Sequence, residues 1–496
     1  MERDAAILFW LFVGCHALVW IVVPTLAVPT VHREVIETIN WGKYFRWSYW
    51  QHPPLQTWFI EVFLRVFGRG SVGVYLASQV SLSVCFWAVW RFARDVLSPG
   101  HALLSVLVLE GILYYNYNTP KFNHDGLQLP LWALTVLTVW RALTRGGSGR
   151  WGLAGFVAGL GVLSKYTILV LLGPLGLLVL VHPHVRRHLA TPGPYLALVA
   201  FVLTVTPHVR ELIDIDFSTI AFFLARAERR GWFAHLDHPL RFAVSLAFVL
   251  APVGLLVAAL GPGSRGERDE PAPNGFTRAF LFTVALAPVL LVLLFSVITG
   301  RKLYAGWSTP FWSFTGVWLL YHRRPALTER VIRRFGYAVL GLAIFWAVVF
   351  AGQFLLGPAL TGKRNPELFP ARAIAGHVTQ EWRRRYGTPL PVAAGHKWFV
   401  ENVGYYSPDR PDVYDLDDPD PAKYLGTSDV DFNRRGGVIV WDASVEGDRM
   451  PGAWRARFPD SQPQPAIAFP WLTWARVPPV RLGWAVLAGA PRADGK

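Results

Sequence analysis

Cysteine is nearly missing from this chain of 496 residues, with only Cys15 and Cys85 present. Both lie inside apolar runs and neither has metal-ligand spacing, which argues against a disulfide framework or a zinc knuckle. Charge is scarce too. Asp, Glu, Lys and Arg make up 16% of the residues, against about 25% in soluble domains. The hydrophobic share is 53% and the mean hydropathy is +0.32. Acids are the scarcer sign, 33 against 48 Lys and Arg, for a net charge of +15. No basic helix, finger or other nucleic-acid motif goes with that excess, so nucleic acid is not expected as a partner. The opening MERDAAILFWLFVGCHALVWIVVPTL lacks a small-residue cleavage site, and its apolar run is too long for a signal-peptide core. It reads as a retained first helix. No repeat of fixed period is present.

What the chain does have is long apolar segments. Runs near 5–28, 72–94, 101–117, 126–143, 151–167, 168–184, 195–210, 239–260, 278–298, 307–321 and 335–356 predict about eleven membrane spans. The 23 Trp residues suit the membrane–water boundary. RFARD, RALTRGGSGR, HVRRH, the GSRGERDEP linker and YHRRP all fall on one side of this scheme, which the positive-inside rule makes cytoplasmic. The other side receives 29–70, 118–125, 211–238, 299–306 and everything after 357. That last region is rich in Pro, Asp and Arg. Its strand-like PLPVAAG and GGVIVW and its helical EWRRRYG predict a small α/β domain outside the cytoplasm. The closing LGWAVLAGA is too short to span a membrane. The expected division is therefore 1–356, with 29–70 as a first outer loop bearing interfacial helices, and 357–496.

Chemistry-bearing residues gather in the outer segments. Glu34 and Glu37 are three apart, so on a helix they share a face. WGKYFRWSYW follows, mixing cations and aromatics as a short interfacial helix would. Pro53 and Pro54 then hold His52 at a corner. A solvated amphipathic loop is the competing reading. In YYNYNTPKFNHDG, Lys121, Asn123, His124 and Asp125 crowd a helix entry, where Asp125 could equally be a cap. Lys165 lies in GVLSKYTILVLL, where a charge is costly and therefore functional or paired; snorkelling to the boundary is the alternative. No acid lies within four residues of it, so a partner must come from elsewhere in the fold or from a ligand. Arg301 and Lys302 stand at the outer end of another span. An anionic ligand with a lipid anchor fits acids at one place and cations converging from several spans. DLDDPDP (415–421) lacks EF-hand spacing and reads as a solvated acidic turn.

Taken in order, the acid-bearing first loop, the HPPL turn followed by Trp, KFN before LPLWAL, GLGVLSKYT and TGRKLYAGW resemble the bacterial lipid-dependent glycosyltransferases of family 39. These are related to protein O-mannosyltransferases and the lipid A aminoarabinose transferase. The resemblance covers most of the chain, including VAAGHKWFVENVGYYSPDRPDVY. It implies a polytopic α-helical membrane protein of GT-C type with its active site on the non-cytoplasmic face of the bacterial inner membrane. The implied reaction moves a sugar from a polyprenyl-monophosphate donor to a hydroxyl on an envelope glycan, lipid A or a protein, as in lipopolysaccharide modification. The family usually opens this loop with Asp, where this chain has Glu34. The resemblance implies Glu34 as base with Glu37 beside it, and Asp125 as a further catalytic candidate. It places His52, Lys165, Arg301 and Lys302 at the donor phosphate, with Tyr49, Lys121, Asn123 and Trp307 lining the substrate pocket. No nucleotide cofactor is expected. A divalent cation stays open, because paired carboxylates serve a cation or a proton equally well. Two rivals are carried alongside: a transporter or flippase of an anionic glycolipid, and a transferase using a diphosphate lipid donor.

Overall fold

The computed structural model describes residues 2–226, 231–262, 274–418 and 427–490. The GSRGERDEP linker and the last part of the DLDDPDP run lie outside them. The chain folds as two compact units. The first comprises Met1–Val22, Arg46–Gln56 and Tyr75–Val349; the second comprises Val23–Phe45, Thr57–Val74 and Phe350–Lys496. The second unit thus takes in parts of the 29–70 segment as well as the tail, which differs from a single cut after 356.

Among the described residues, six helices are long and apolar enough to cross a membrane: Glu2–Ala27, Ser71–Val96, His124–Arg145, Gly193–Asp214, Ala234–Leu260 and Glu329–Leu355. Two bent pairs raise the number to eight at most, Tyr166–Val181 with Pro183–Ala190 at 84° and Gly275–Ala285 with Ala287–Thr299 at 49°. Apolar side chains such as Leu18, Leu203 and Val348 are more than half exposed. Lipid is the solvent that accepts such faces, and the chain is a multi-pass membrane protein.

Two of the expected eleven spans are broken for visible reasons. In 101–117 the helix Pro99–Leu107 gives way to the 3-10 turns Val108–Gly111 and Leu113–Tyr115. There the buried Glu110 takes His16 Nδ1 at 2.5 Å, and its carbonyl takes Asn116 Nδ2 at 2.8 Å. In 307–321 a 3-10 segment Ala305–Trp312 containing Pro310 precedes a helix of nine residues, Thr315–Arg323. Apolar composition alone cannot distinguish a buried broken segment from a span.

Close helix packing in the first unit rests on small residues. A Cβ on Gly155 would lie 1.9 Å from the Ala197 carbonyl oxygen, and one on Gly159 2.7 Å from Thr204 Cβ. The small-xxx-small spacing of GFVAG lets helices Ser148–Ser164 and Gly193–Asp214 touch along their backbones. Helix Ser148–Ser164 ends against Lys165, whose backbone is extended at φ −164 and ψ 139. The lysine therefore stands at a helix break, followed by the turn Tyr166–Ile168 and the helix Leu169–Val181.

The second unit contains five strands, β1 (Val392–Gly395), β2 (Asp412–Asp415), β3 (Gly437–Asp442), β4 (Gln462–Phe469) and β5 (Val480–Leu487). Their order is β2-β1-β3-β5-β4. β1 pairs parallel with β2 and β3, while β5 pairs antiparallel with β3 and β4. Side chains alternate across a strand. Accordingly Val438 and Val440 join one apolar layer, with Ile374, Val378 and Trp382 of helix Ala371–Tyr386. Ile439 and Trp441 join the other, with Phe432 and Trp454. This is the expected small α/β domain, and LGWAVLAGA supplies most of an inner strand. Arg383, Arg384 and Arg385 in the last turn of helix Ala371–Tyr386 complement its dipole, and Gly387 caps it in the left-handed region.

Candidate active site

Glu34 and Glu37 lie on one helix, Arg33–Gly42, in the second unit, as their spacing requires. The helix does not run on through WGKYFRWSYW. It ends at Gly42, and Phe45 takes a positive φ of 46°, a conformation costly for a bulky residue. Tertiary contacts hold the departure: Lys43 and Tyr44 both bind the Asp412 carboxylate. Within the first unit, the Glu211 carboxylate takes Arg46 Nε at 2.5 Å and the Trp47 amide at 2.6 Å. The interfacial-helix expectation for this stretch is therefore corrected.

The two carboxylates have different surroundings. Glu34 is exposed in the first helical turn. Glu37 is largely covered and accepts from Lys397 Nζ at 2.6 Å, while Glu401 Oε1 lies 3.7 Å from the same ammonium. Glu401 is buried, and its Oε2 has no hydrogen-bond partner. Burial, reinforced by the Glu37 charge, pushes the Glu401 carboxyl well above the usual range. Lys397 Nζ lies closer to Glu37 than to Glu401. Burial alone would lower the Lys397 ammonium, but the two carboxylates outweigh it and raise it.

The remaining candidates lie in the first unit. Asn123 caps helix His124–Arg145 by accepting from the amides of Asp125 at 3.1 Å and Gly126 at 3.2 Å. With the cap role taken, the Asp125 carboxylate is turned to Lys165, whose Nζ lies 2.6 Å away. Both side chains are 15% exposed. The partner that the local sequence of Lys165 could not supply comes from the fold. His52 stacks beside His124, with ring centroids 4.0 Å apart. Its carbonyl accepts from the Tyr49 amide at 3.1 Å. Tyr49 is buried, and its hydroxyl accepts from the Arg46 amide at 3.2 Å.

A cavity of about 100 Å³ opens beside the pair. Lys121, Asn123 and Asp125 line it, joined by Tyr114, Asn118 and Thr309. The loop 114–126 and the segment 305–312 therefore share one polar pocket. Thr119, also in its wall, is fixed by Ser78 Oγ donating to its carbonyl at 2.6 Å and by Gln79 Nε2 donating to its hydroxyl at 3.1 Å. Trp307 packs on Tyr304 and Phe223 rather than among the residues lining that cavity. Arg301 Nη1 donates to the Leu224 carbonyl at 3.1 Å. The exposed Lys302 lies over the Tyr304 ring at 4.8 Å, with the Arg226 guanidinium 5.6 Å from the same ring.

Sequence reasoning named His124 at the helix entry without giving it a role, and did not select Tyr114, Asn118, Thr309 or Arg226. His124 had a signal, its place between the cap and the acid. Tyr114 and Asn118 lay in the quoted loop 114–126 and Arg226 in the outer segment 211–238, but Thr309 had no signal, because a Thr in an apolar run carries no mark of the cavity it will line. Among the described residues no group of three or more His, Cys, Asp or Glu side chains is placed to hold a metal ion.

Residues 51–210 match the family model of dolichyl-phosphate-mannose-protein mannosyltransferase. The chain is 27% identical over 156 residues to undecaprenyl phosphate-alpha-4-amino-4-deoxy-L-arabinose arabinosyl transferase 1 of Pseudomonas fluorescens (strain Pf0-1), covering 29% of this chain and 26% of that protein. It is 27% identical over 177 residues to the corresponding transferase of Pseudomonas savastanoi pv. phaseolicola (strain 1448A / Race 6), covering 33% of each. The matched stretches thus span a third or less of those relatives. The crystal structure of ArnT from Cupriavidus metallidurans bound to undecaprenyl phosphate aligns over 99% of this chain and 100% of its own, with a TM-score of 0.64 at 14% identity. The fold is that of the GT-C glycosyltransferases. The resemblance to the protein O-mannosyltransferase and aminoarabinose transferase type is borne out.

Proposed function

We propose that this protein transfers a glycosyl group from a polyprenyl-monophosphate-linked sugar to an acceptor hydroxyl of an envelope glycan, lipid A or a protein, at the outer face of the inner membrane. The observation that carries the reading is the Lys165–Asp125 pair at a helix break, beside a polar cavity, in a fold shared with a transferase solved with undecaprenyl phosphate. In the reaction the bond from the anomeric carbon to the phosphate oxygen breaks, and the electron pair leaves with the lipid phosphate. The acceptor oxygen bonds to the anomeric carbon from the opposite face, inverting it, and its proton passes to a carboxylate. Phosphate is a good leaving group, so the protein supplies a base, worth about 10²–10⁴ in rate, and cations for the growing charge. Lys165, His52, Arg301 and Lys302 take the second role. Tyr49, Lys121, Asn123 and Trp307 belong to the substrate pocket, directly or by shaping its walls.

Glu34 is the better base of the two. Glu37 already accepts from Lys397 Nζ at 2.6 Å and is largely covered, whereas Glu34 is exposed to an incoming acceptor hydroxyl. In purified protein supplied with radiolabelled monophosphate donor, Glu34→Gln should lose transfer while still binding donor. Near-normal turnover in Glu34→Gln together with loss in Glu37→Gln would reverse the assignment. Product analysis separates the rivals: a flippase moves label without a new glycosidic bond, and a diphosphate-dependent transferase leaves the monophosphate donor untouched. Reporter fusions at Gly266 and Gly387 should report opposite sides of the membrane.

A further inference from the structure

Helix His124–Arg145 begins at the Asp125–Lys165 pair. Its 22 residues rise roughly 33 Å at about 1.5 Å each. Near its other end, a second cavity of about 530 Å³ has Asp95, Thr144, His182, His184, Thr277 and Tyr321 in its walls. Four loop regions that the sequence placed on one side, those after the spans ending near 95, 144, 184 and 321, therefore converge on one space. It lies a helix length from the pair assigned to the donor phosphate.

The walls are arranged for an anion. The 84° bend between Tyr166–Val181 and Pro183–Ala190 brings in His182 and His184, whose rings lie 5.5 and 5.1 Å from the Phe276 ring. His182 Nδ1 accepts from the His184 amide at 3.3 Å, so its Nε2 carries the hydrogen and is a donor. Helix Gly275–Ala285, 11 residues long, turns its N-terminus to the space. The positive end of a helix favours anions. Tyr321 supplies an independent indication. Its side chain is 4% exposed and its hydroxyl has no hydrogen-bond partner, although a buried polar group normally finds one. The acid in the wall is neutralised, since Asp95 Oδ1 accepts from Arg145 Nη2 at 2.9 Å and its Oδ2 lies 4.0 Å from Arg141 Nε. Arg141 Nε and Nη2 are themselves buried without hydrogen-bond partners. Asp95 Oδ2 is likewise buried without a hydrogen-bond partner, so behind the wall two arginines face one carboxylate, beside a space of ordinary ligand size.

We propose that this cavity binds a phosphate group, as carried by the headgroup of an anionic phospholipid. His182 Nε2, the His184 ring, the Tyr321 hydroxyl and the helix N-terminus donate to its oxygens, and the arginines at Asp95 balance its charge.

The test uses delipidated full-length protein and native mass spectrometry, titrating phosphatidylglycerol, phosphatidylcholine and inorganic phosphate. Wild type should bind phosphatidylglycerol in preference to phosphatidylcholine, with inorganic phosphate competing. Tyr321→Phe and, separately, His184→Ala should weaken the anionic lipid, Tyr321→Phe by about tenfold, as the loss of one hydrogen bond to a charged group implies. Both variants should keep the wild-type melting temperature and glycosyl transfer. Binding of inorganic phosphate without the lipid, weakened in the same variants, would support the phosphate site and assign it to a free anion. Equal affinity of wild type and both folded variants for every phosphate probe would overturn the proposal.

Discussion

Replacing Lys165 by Met keeps the length of the side chain and removes its charge, leaving Asp125 as a carboxylate 15% exposed with no cation at 2.6 Å. Breaking a fully buried pair costs about 3–5 kcal/mol. Here the adjoining cavity lets water reach the orphaned oxygen, so the expected loss is ~2–3 kcal/mol. The stronger test is the double variant. Asp125→Asn in the Lys165→Met background removes the uncompensated charge and should restore roughly 1–2 kcal/mol of that loss. Thermal unfolding of the four proteins in nanodiscs at one scan rate gives the comparison, with the double variant melting above the Lys165→Met single. A double variant whose loss is the sum of the two singles would show that the pair carries no coupling, and snorkelling would then account for Lys165. Donor binding read on the same proteins separates the two roles. If the lysine also meets the lipid phosphate, stability returns in the double variant and donor affinity does not.

Two further outcomes follow from packing and charge. Gly155→Ala places a methyl 1.9 Å from the Ala197 carbonyl oxygen, so helices Ser148–Ser164 and Gly193–Asp214 must separate, at about 1–3 kcal/mol. Because Lys165 directly follows the first of these, donor affinity should fall along with the melting temperature, whereas Gly152→Ala, with open space at its Cβ, should change neither. Glu401→Gln concerns pH. The folded protein holds this carboxyl well above its ordinary value, so its penalty is absent below the unfolded carboxylate range and grows as pH rises towards the folded value. The variant, which cannot ionise, should therefore gain stability over wild type as pH rises from about 4; melting curves that keep a constant offset across that range would refute the assignment.

Much of this molecule is written locally. Summed hydropathy finds the long helices, because each residue contributes its transfer free energy wherever the chain goes. The short run of β-branched and aromatic residues after the glycines of GGVIVW finds β3, because those side chains favour a strand wherever the chain goes. The spacing of Glu34 and Glu37 puts both on helix Arg33–Gly42. The pairings are another matter. Lys165 finds Asp125 forty positions away, and Glu37 finds Lys397 three hundred and sixty away. Nothing near either residue shows its partner, since an ion pair depends on two segments arriving at one place. The same holds for the broken segment at 101–117, apolar enough to span, which the His16–Glu110 contact accompanies out of the helix. The sequence by itself determined which segments prefer lipid, which alternate as strands, and which residues are able to carry charge. Only the tertiary structure decided which charges neutralise one another and which polar groups share a cavity, because those energies fall off over a few ångströms and depend on distances that no single segment sets.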